Sequence, residues 1–134
     1  MGERAPAPDW LREHYERVDA NDFAFVLGRF SDEIEVRFGI RPAVTGRAAA
    51  AGVLADVHRW FESSRHRFTN VWQQGATTLV EFDVTYTLHD GSTVPMETFT
   101  VLERDAGLIR SMRVYIDESP LRVGRSHTAT PEDS

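Results

Sequence analysis

Glu97 is the residue whose type and position point most directly to proton-transfer chemistry. It lies in the segment Val94–Phe99, where a period of two puts it on the same strand face as Phe99 and Val101. If that face lines an apolar interior, burial disfavours the charged carboxylate and raises its pKa, so that Glu97 becomes a general acid or a hydrogen-bond donor. The alternative is that Glu97 faces the other side of the sheet, toward solvent or a partner subunit.

His14 is the second candidate catalytic residue, because an imidazole titrates near neutral pH and can both accept and donate a proton. It lies one helical turn after Trp10 and one turn before Val18, at the edge of an apolar stripe. From that position its ring could reach a ligand or the carboxyl group of Glu97. The alternative is a half-buried helix histidine that donates to a backbone carbonyl.

Aromatic and aliphatic residues are expected to form the walls of a ligand pocket around these two side chains. His58 shares a predicted helix with Leu54, and Tyr86 follows Val84 on the apolar face of a predicted strand. Either could instead be a core or boundary residue whose polar atoms are satisfied locally. The expected lining residues are Phe38, Leu54, His58, Trp60, Trp72, Tyr86, Phe99, Met112, Val114 and Ile116.

Other chemistries lack support in the sequence. His14, His58, His66 and His89 do not show the spacing of a metal site, such as two histidines four residues apart on one helix. No phosphate-binding loop, dinucleotide fingerprint or nucleophilic triad occurs, and no cofactor is expected. The basic segment Arg65–Arg67 is interpreted as a solvated loop.

Three helices are predicted in the first half of the chain. Residues 9–19 have the apolar spacing of an amphipathic helix with Asp9 as its N-cap. Asp22 is expected to cap a second, short helix, and residues 47–62 carry the apolar face of a third.

Strands are predicted where apolar and polar residues alternate, as in Ile34, Val36 and Phe38. Four further runs follow the third helix, at about 67–74, 77–88, 93–103 and 108–117. This order predicts an α+β domain over residues 9–121, preceded by a flexible arm, 1–8, and followed by a disordered tail, 122–134. Three helices would pack on a strongly curved antiparallel or mixed sheet and leave an apolar pocket.

Three motifs in this order resemble a known family. They are the segment Val18-Asp19-Ala20-Asn21-Asp22-Phe23, the pair Gly46-Arg47 that opens the third helix, and the ending Arg113-Val114-Tyr115-Ile116-Asp117. Over about Trp10 to Leu121 the chain resembles SnoaL-like proteins of the NTF2-like superfamily, which have a cone-shaped fold. The resemblance implies relatives among ketosteroid isomerases, polyketide cyclases, dehydratases and epoxide hydrolases, and it also implies a homodimer. Such folds carry many functions, so the resemblance leaves the reaction open.

Alignment with the ketosteroid isomerases tests one of these functions. That family uses an aspartate base with a tyrosine and a protonated aspartate as oxyanion donors. The resemblance places the tyrosine position at His14, with Tyr15 one residue away, the protonated acid at Glu97 and the base at Phe38. Phenylalanine cannot accept a proton, so the usual isomerase mechanism is not expected. For the epoxide hydrolases, Glu97 and Arg110 could supply only part of the required carboxylate–arginine arrangement.

Composition narrows the partners and the cellular location. A net charge of −6 disfavours nucleic acid, whose phosphates require a basic surface. The chain has no cysteine, no apolar run long enough to span a bilayer and no secretion signal, which favours a cytoplasmic protein.

Two functions remain. The first is a cofactor-independent acid–base enzyme (isomerase, cyclase, dehydratase or hydrolase) that acts on a hydrophobic organic molecule. The second is a ligand-binding or assembly domain without chemistry. In either case a homodimer is expected through the second sheet face, which carries Thr85, Thr87, Thr98, Arg113 and Tyr115.

Overall fold

The computed structural model describes residues 6–121. The predicted tail, 122–134, and the first five residues of the predicted arm lie outside the described residues. The elements are α1 (Asp9–Asp19), α2 (Phe23–Gly28), β1 (Phe30–Phe38), β2 (Val44–Thr45), α3 (Arg47–Val57), β3 (Ser63–Gln74), β4 (Thr77–Thr87), β5 (Thr93–Asp105) and β6 (Leu108–Tyr115).

The six strands form one mixed sheet in the order β2-β1-β6-β5-β4-β3. β1 and β6 pair in parallel, and every other neighbouring pair is antiparallel. The predicted α+β class and the four-strand meander are confirmed, whereas β2 was not predicted. The strong curl expected of the sheet is not observed. β4 and β5 keep an unbroken register along the whole of β4, and shifts in register occur only within the β1/β6, β3/β4 and β5/β6 pairs.

Two predicted helix boundaries differ from the structure. Asp9 is not the N-cap of α1: the cap is Pro8, whose carbonyl accepts from the backbone N–H groups of Leu11 and Arg12, both at 3.1 Å. α3 ends at Val57 and not near residue 62, because the chain must reverse direction before β3 begins at residue 63. The predicted cap of α2 is confirmed, since Asp22 Oδ1 accepts from the Phe25 N–H at 3.2 Å.

The core lies between the helices and one face of the sheet, here called the inner face. Apolar residues of β4 alternate toward this face, and Val80, Phe82 and Val84 are almost completely buried there. Leu11 of α1 and Val57 of α3 pack against the same core. Burial of these apolar side chains is the main stabilising contribution to the layered arrangement. The opposite side of the sheet, here called the outer face, is not covered by any described helix or strand.

Candidate functional site

A hollow lies between the helices and the inner face of the sheet. The volume that the centre of a water molecule can occupy within it is about 70 Å³. Most of its lining is apolar, and the polar groups around it come from three histidines, two tyrosines, two threonines and one serine. The lining residues are His14, Tyr15, Val18, Val26, Phe30, Phe38, Leu54, Val57, His58, Phe61, Ser64, His66, Tyr86, Thr98, Thr100, Met112 and Val114.

A carboxylate–imidazole pair stands at the edge of this hollow. Asp19, the last residue of α1, holds His66 of β3, with 2.6 Å between Asp19 Oδ1 and His66 Nδ1. The Ser64 hydroxyl donates to the same oxygen at 3.0 Å, and the His66 backbone N–H donates to Asp19 Oδ2 at 2.7 Å. These bonds fix the ring orientation of His66, and a carboxylate at Nδ1 favours the tautomer whose lone pair is on Nε2.

Aromatic rings enclose the His66 imidazole. Its centroid lies 4.8 Å from that of Tyr15 and 4.9 Å from that of Phe82, and its side chain is only 11% exposed. The interpretation of Arg65–Arg67 as a solvated loop is wrong, because these residues lie within β3 and pair with β4. The sequence did not single out His66 because two arginines flank it. The available signal was the alternation of Ser64, His66 and Phe68 with the two arginines, which predicts that the histidine and the arginines face opposite sides of a strand.

His14 lines the hollow from α1 and is 2% exposed. Its burial, with smaller effects from the nearby His66 and Arg29, lowers its pKa to about 4. The ring is therefore neutral at neutral pH and does not act there as a cationic acid. Its Nδ1 atom is buried and has no hydrogen-bond partner within residues 6–121.

His58 follows the end of α3 and also lines the hollow. Its Nδ1–H can donate to the Leu54 carbonyl at 2.8 Å, and burial lowers its pKa. The ring packs against Phe23 and Phe61, with centroid distances of 4.6 and 4.5 Å. Among the three histidines of the hollow, His66 is thus distinguished by its carboxylate partner.

Two buried phenols contribute hydroxyl groups to the same wall. Burial raises the pKa of Tyr15, although a side-chain hydrogen bond with Thr100 opposes this effect. Burial also raises the pKa of Tyr86, and the nearby carboxylates of Asp19 and Glu118 add to the shift. Both phenols stay protonated at neutral pH and can serve as hydrogen-bond donors.

The expected inward orientation of Glu97 is wrong. On β5 the buried residues that line the hollow are Thr98 and Thr100, so the alternation of the strand turns Glu97 and Phe99 to the outer face. Glu97 is exposed and lies opposite Asp83 in the strand pairing. For the same reason Thr98 lies on the inner face, and its predicted position on the second sheet face is wrong. Arg110 pairs with Glu103 at 2.8 Å, not with Glu97.

The predicted lining residues divide into two groups. Those that the structure places around the hollow are Phe38, Leu54, His58, Tyr86, Met112 and Val114. Trp72 and Phe99 lie together on the outer face, 6.4 Å apart between ring centroids, so their expected pocket position is wrong. Trp60 packs under the Arg41 guanidinium at 4.5 Å, and Ile116 packs against the core beyond β6; neither lines the hollow.

Within residues 6–121, no three histidine, aspartate or glutamate side chains are arranged to hold a metal ion. No helix of this part of the chain is long and apolar enough to cross a membrane.

The profile of the SnoaL-like domain matches residues 11–112. Among curated proteins, none is significantly similar to the chain.

Solved structures share the fold at low sequence identity. TerC co-crystallised with polyporic acid is 16% identical with a TM-score of 0.73, and the match covers 86% of this chain and 94% of TerC. An NTF2-like protein of unknown function from Burkholderia pseudomallei is 14% identical with a TM-score of 0.75, over 84% of this chain and 91% of that one. A candidate SnoaL-like polyketide cyclase from Jannaschia sp. CCS1 is 19% identical with a TM-score of 0.69, over 98% and 100%. The six-stranded mixed sheet with its N-terminal helices is therefore an NTF2-like fold.

Proposed function

Since this chain belongs to the SnoaL-like domain family, we propose that its hollow is a ligand pocket and that the protein is a cofactor-independent acid–base enzyme. The substrate is a small apolar organic molecule with an acidic C–H bond next to a carbonyl or similar group. The reaction class is proton transfer leading to isomerisation, cyclisation or dehydration. The Jannaschia structure described above is a candidate polyketide cyclase, and cyclisation belongs to this class of reaction.

The observation that carries the proposal is the Asp19–His66 pair at an apolar wall. With Nδ1–H held by the carboxylate, Nε2 carries the lone pair that removes a proton. Asp19 then stabilises the imidazolium that forms, as a carboxylate does in other histidine-based sites. His66 thus acts as the base, in place of the aspartate whose position in the isomerase alignment is occupied by Phe38.

The phenols complete the proposed chemistry. Removal of a proton next to a carbonyl develops negative charge on the carbonyl oxygen. Tyr15 and Tyr86 are buried, protonated donors that line the same hollow as His66 and can stabilise this charge. His14 and His58, whose pKa values are lowered, contribute neutral rings that shape the pocket.

The size of the hollow limits the substrate. The space open to the centre of a water molecule is small, about 70 Å³, so we expect a substrate of about one ring.

Cyclohexanone in heavy water provides a test that does not require the natural substrate. We expect the wild-type protein to exchange the α-hydrogens of this ketone for deuterium faster than free imidazole at the same concentration does. His66→Gln removes the base and should slow the protein-dependent exchange by about a hundredfold. Exchange is followed by proton NMR, and folding of each variant by circular dichroism.

Glu97→Gln is the matched control, because it replaces a carboxyl group that faces away from the hollow. We expect it to exchange cyclohexanone at the wild-type rate. If cyclohexanone shifts the resonances of the pocket residues but His66→Gln exchanges it as fast as wild type, the acid–base proposal fails. The non-catalytic ligand-binding domain is then the better description.

For the partner, we propose a homodimer formed through the outer face of the sheet. Trp72, Phe99 and Tyr115 form an apolar row there, and Tyr115 is 48% exposed. A two-fold axis through this row would bring the apolar side chains of two copies into contact.

A further inference from the structure

A second recess lies on the other side of His14 from the hollow. It is formed by α1, by the residue that follows α2 and by the β5–β6 hairpin, and about 60 Å³ of it is open to the centre of a water molecule. Polar and apolar groups contribute about equally to its lining, in contrast to the mainly apolar hollow. The residues around it include Trp10, Glu13, His14, Arg29, Arg104 and Gly107.

Two guanidinium groups face this recess. The Arg104 guanidinium lies over the Trp10 ring, with 4.0 Å between its Cζ atom and the ring centroid, a distance that allows a cation–π interaction. Within residues 6–121 no carboxylate forms an ion pair with Arg104. Burial, and then the nearby positive charge of Arg29, lower the pKa of Arg104, which places the two cations close to each other.

The charges of the recess do not cancel. Glu13 forms a loose ion pair with Arg29 at 3.6 Å, and both side chains are about half exposed. Two arginines against one glutamate leave one positive charge, which matches a single negative charge. The buried Nδ1 atom of His14 also lacks a hydrogen-bond partner in the described part of the chain, and His14 lines this recess as well as the hollow. A buried polar atom of this kind calls for a ligand or a water molecule.

We propose that this recess is a binding site for the carboxylate group of a small monoanionic molecule. Arg104 is the principal partner, because its planar fork matches the geometry of a carboxylate and is not paired with an acid in the described part of the chain. Trp10 supplies an apolar surface for the rest of the ligand. This site is separate from the proposed acid–base pocket and does not depend on its chemistry.

Benzoate is the probe, and benzamide is the neutral control of the same shape. We expect benzoate, but not benzamide, to shift the NMR signals of the Trp10 indole and the Gly107 amide in the full chain. Arg104→Met should weaken benzoate binding about tenfold or more, since it removes a charge-assisted hydrogen bond. Arg110→Met removes the same charge from an arginine of the outer face and should leave the affinity unchanged.

Glu13→Gln is a second variant, included because Arg104→Met could lose binding simply through a folding defect. Removing the one acid of the recess should tighten benzoate binding, a gain that a damaged fold cannot produce. The proposal is overturned if benzoate shifts none of these signals at millimolar concentration, or if it shifts only residues of the apolar hollow. Equal losses in Arg104→Met and Arg110→Met would overturn it as well.

Discussion

At the scale of single residues, His14 shows how burial sets the protonation state of this site. The ring is 2% exposed, and its pKa falls from 6.5 to about 4 mainly because burial disfavours the imidazolium. His58 is shifted in the same direction for the same first cause. The fold therefore holds both rings neutral, and acid that protonates them acts against the fold.

The shift of His14 predicts how stability changes with pH. Above pH 6.5 His14 is neutral in both the folded and the unfolded chain, and the free energy of unfolding has its full value. As the pH falls from 6.5 toward 4, the unfolded chain binds a proton at His14 that the folded protein does not, so the free energy of unfolding decreases. We expect the loss from His14 to be about 3 kcal/mol across this window. Urea unfolding at several pH values should show a shallower dependence in His14→Gln than in wild type. His89→Gln, at an exposed position, should keep the wild-type slope, and equal slopes in wild type and His14→Gln would refute the assignment.

Two features of the site could not be predicted from the sequence. The pairing of His66 with Asp19 joins positions 47 apart in the chain, and no local pattern contains that distance. The orientation of Glu97 depends on strand parity, and a shift of one residue reverses it. Phe99 suggested inward facing because it is apolar, but an exposed sheet face can also be apolar.

At the scale of elements, the link between β1 and the segment after β6 depends on a glycine. Gly39 has φ of +61°, and a Cβ atom there would overlap Glu118 Oε2. Glu118 is 5% exposed and accepts from Arg41 Nη1 at 2.8 Å, while Arg41 also pairs with Asp56 and covers Trp60. The absence of a side chain at Gly39 thus lets the segment after β6 close over the end of β1.

Comparing the stabilities of Gly39→Ala and Gly75→Ala separates the cost of a left-handed backbone from the cost of a steric clash. Gly75 has φ of +59° with open space around it, so its alanine variant suffers only the left-handed backbone cost of about 1–2 kcal/mol. Gly39→Ala should lose a further 1–3 kcal/mol, roughly, through overlap with Glu118. Denaturant unfolding of the two variants measures the difference. Equal destabilisation of the two variants would show that Glu118 moves away from the new methyl group with no loss of stability, and would contradict this prediction.

Most elements were predictable because their signals are local. Alternation identified the strands, and Asp22 identified the start of α2. The end of α3 was not, because Trp60 and Phe61 continue its apolar spacing although the chain has already left the helix. β2 has only two residues and exists through pairing with β1, which no local pattern reveals.

At the scale of the whole molecule, the two faces of the sheet have different roles. The inner face holds the core and the hollow, and the outer face carries the apolar row around Phe99. Val101, on the same side as Phe99 and outside the core cluster, is only 7% exposed. Apolar residues on an uncovered sheet face are typical of a surface that binds a partner.

The proposed dimer predicts a charge-sensitive association. We expect the wild-type protein to sediment as a dimer at micromolar concentration, and Phe99→Glu to sediment as a folded monomer, because the new carboxylates would meet near the two-fold axis. Ile40→Glu introduces the same charge at an apolar residue that is 83% exposed elsewhere, and it should remain dimeric. A monomeric wild type would contradict the proposal, and so would a dimeric Phe99→Glu.

The exchange of cyclohexanone hydrogens by wild type and by Asp19→Asn tests the central claim most directly. The Oδ1 atom of an asparagine can still accept from the His66 ring and the Ser64 hydroxyl. Its Nδ2 atom cannot accept from the His66 backbone N–H, and the neutral amide cannot stabilise an imidazolium as a carboxylate does. We expect the variant to fold and to bind the ketone, but to exchange its α-hydrogens at least about tenfold more slowly than wild type. A folded Asp19→Asn protein that exchanges the ketone at the wild-type rate would contradict the proposed role of the Asp19–His66 pair.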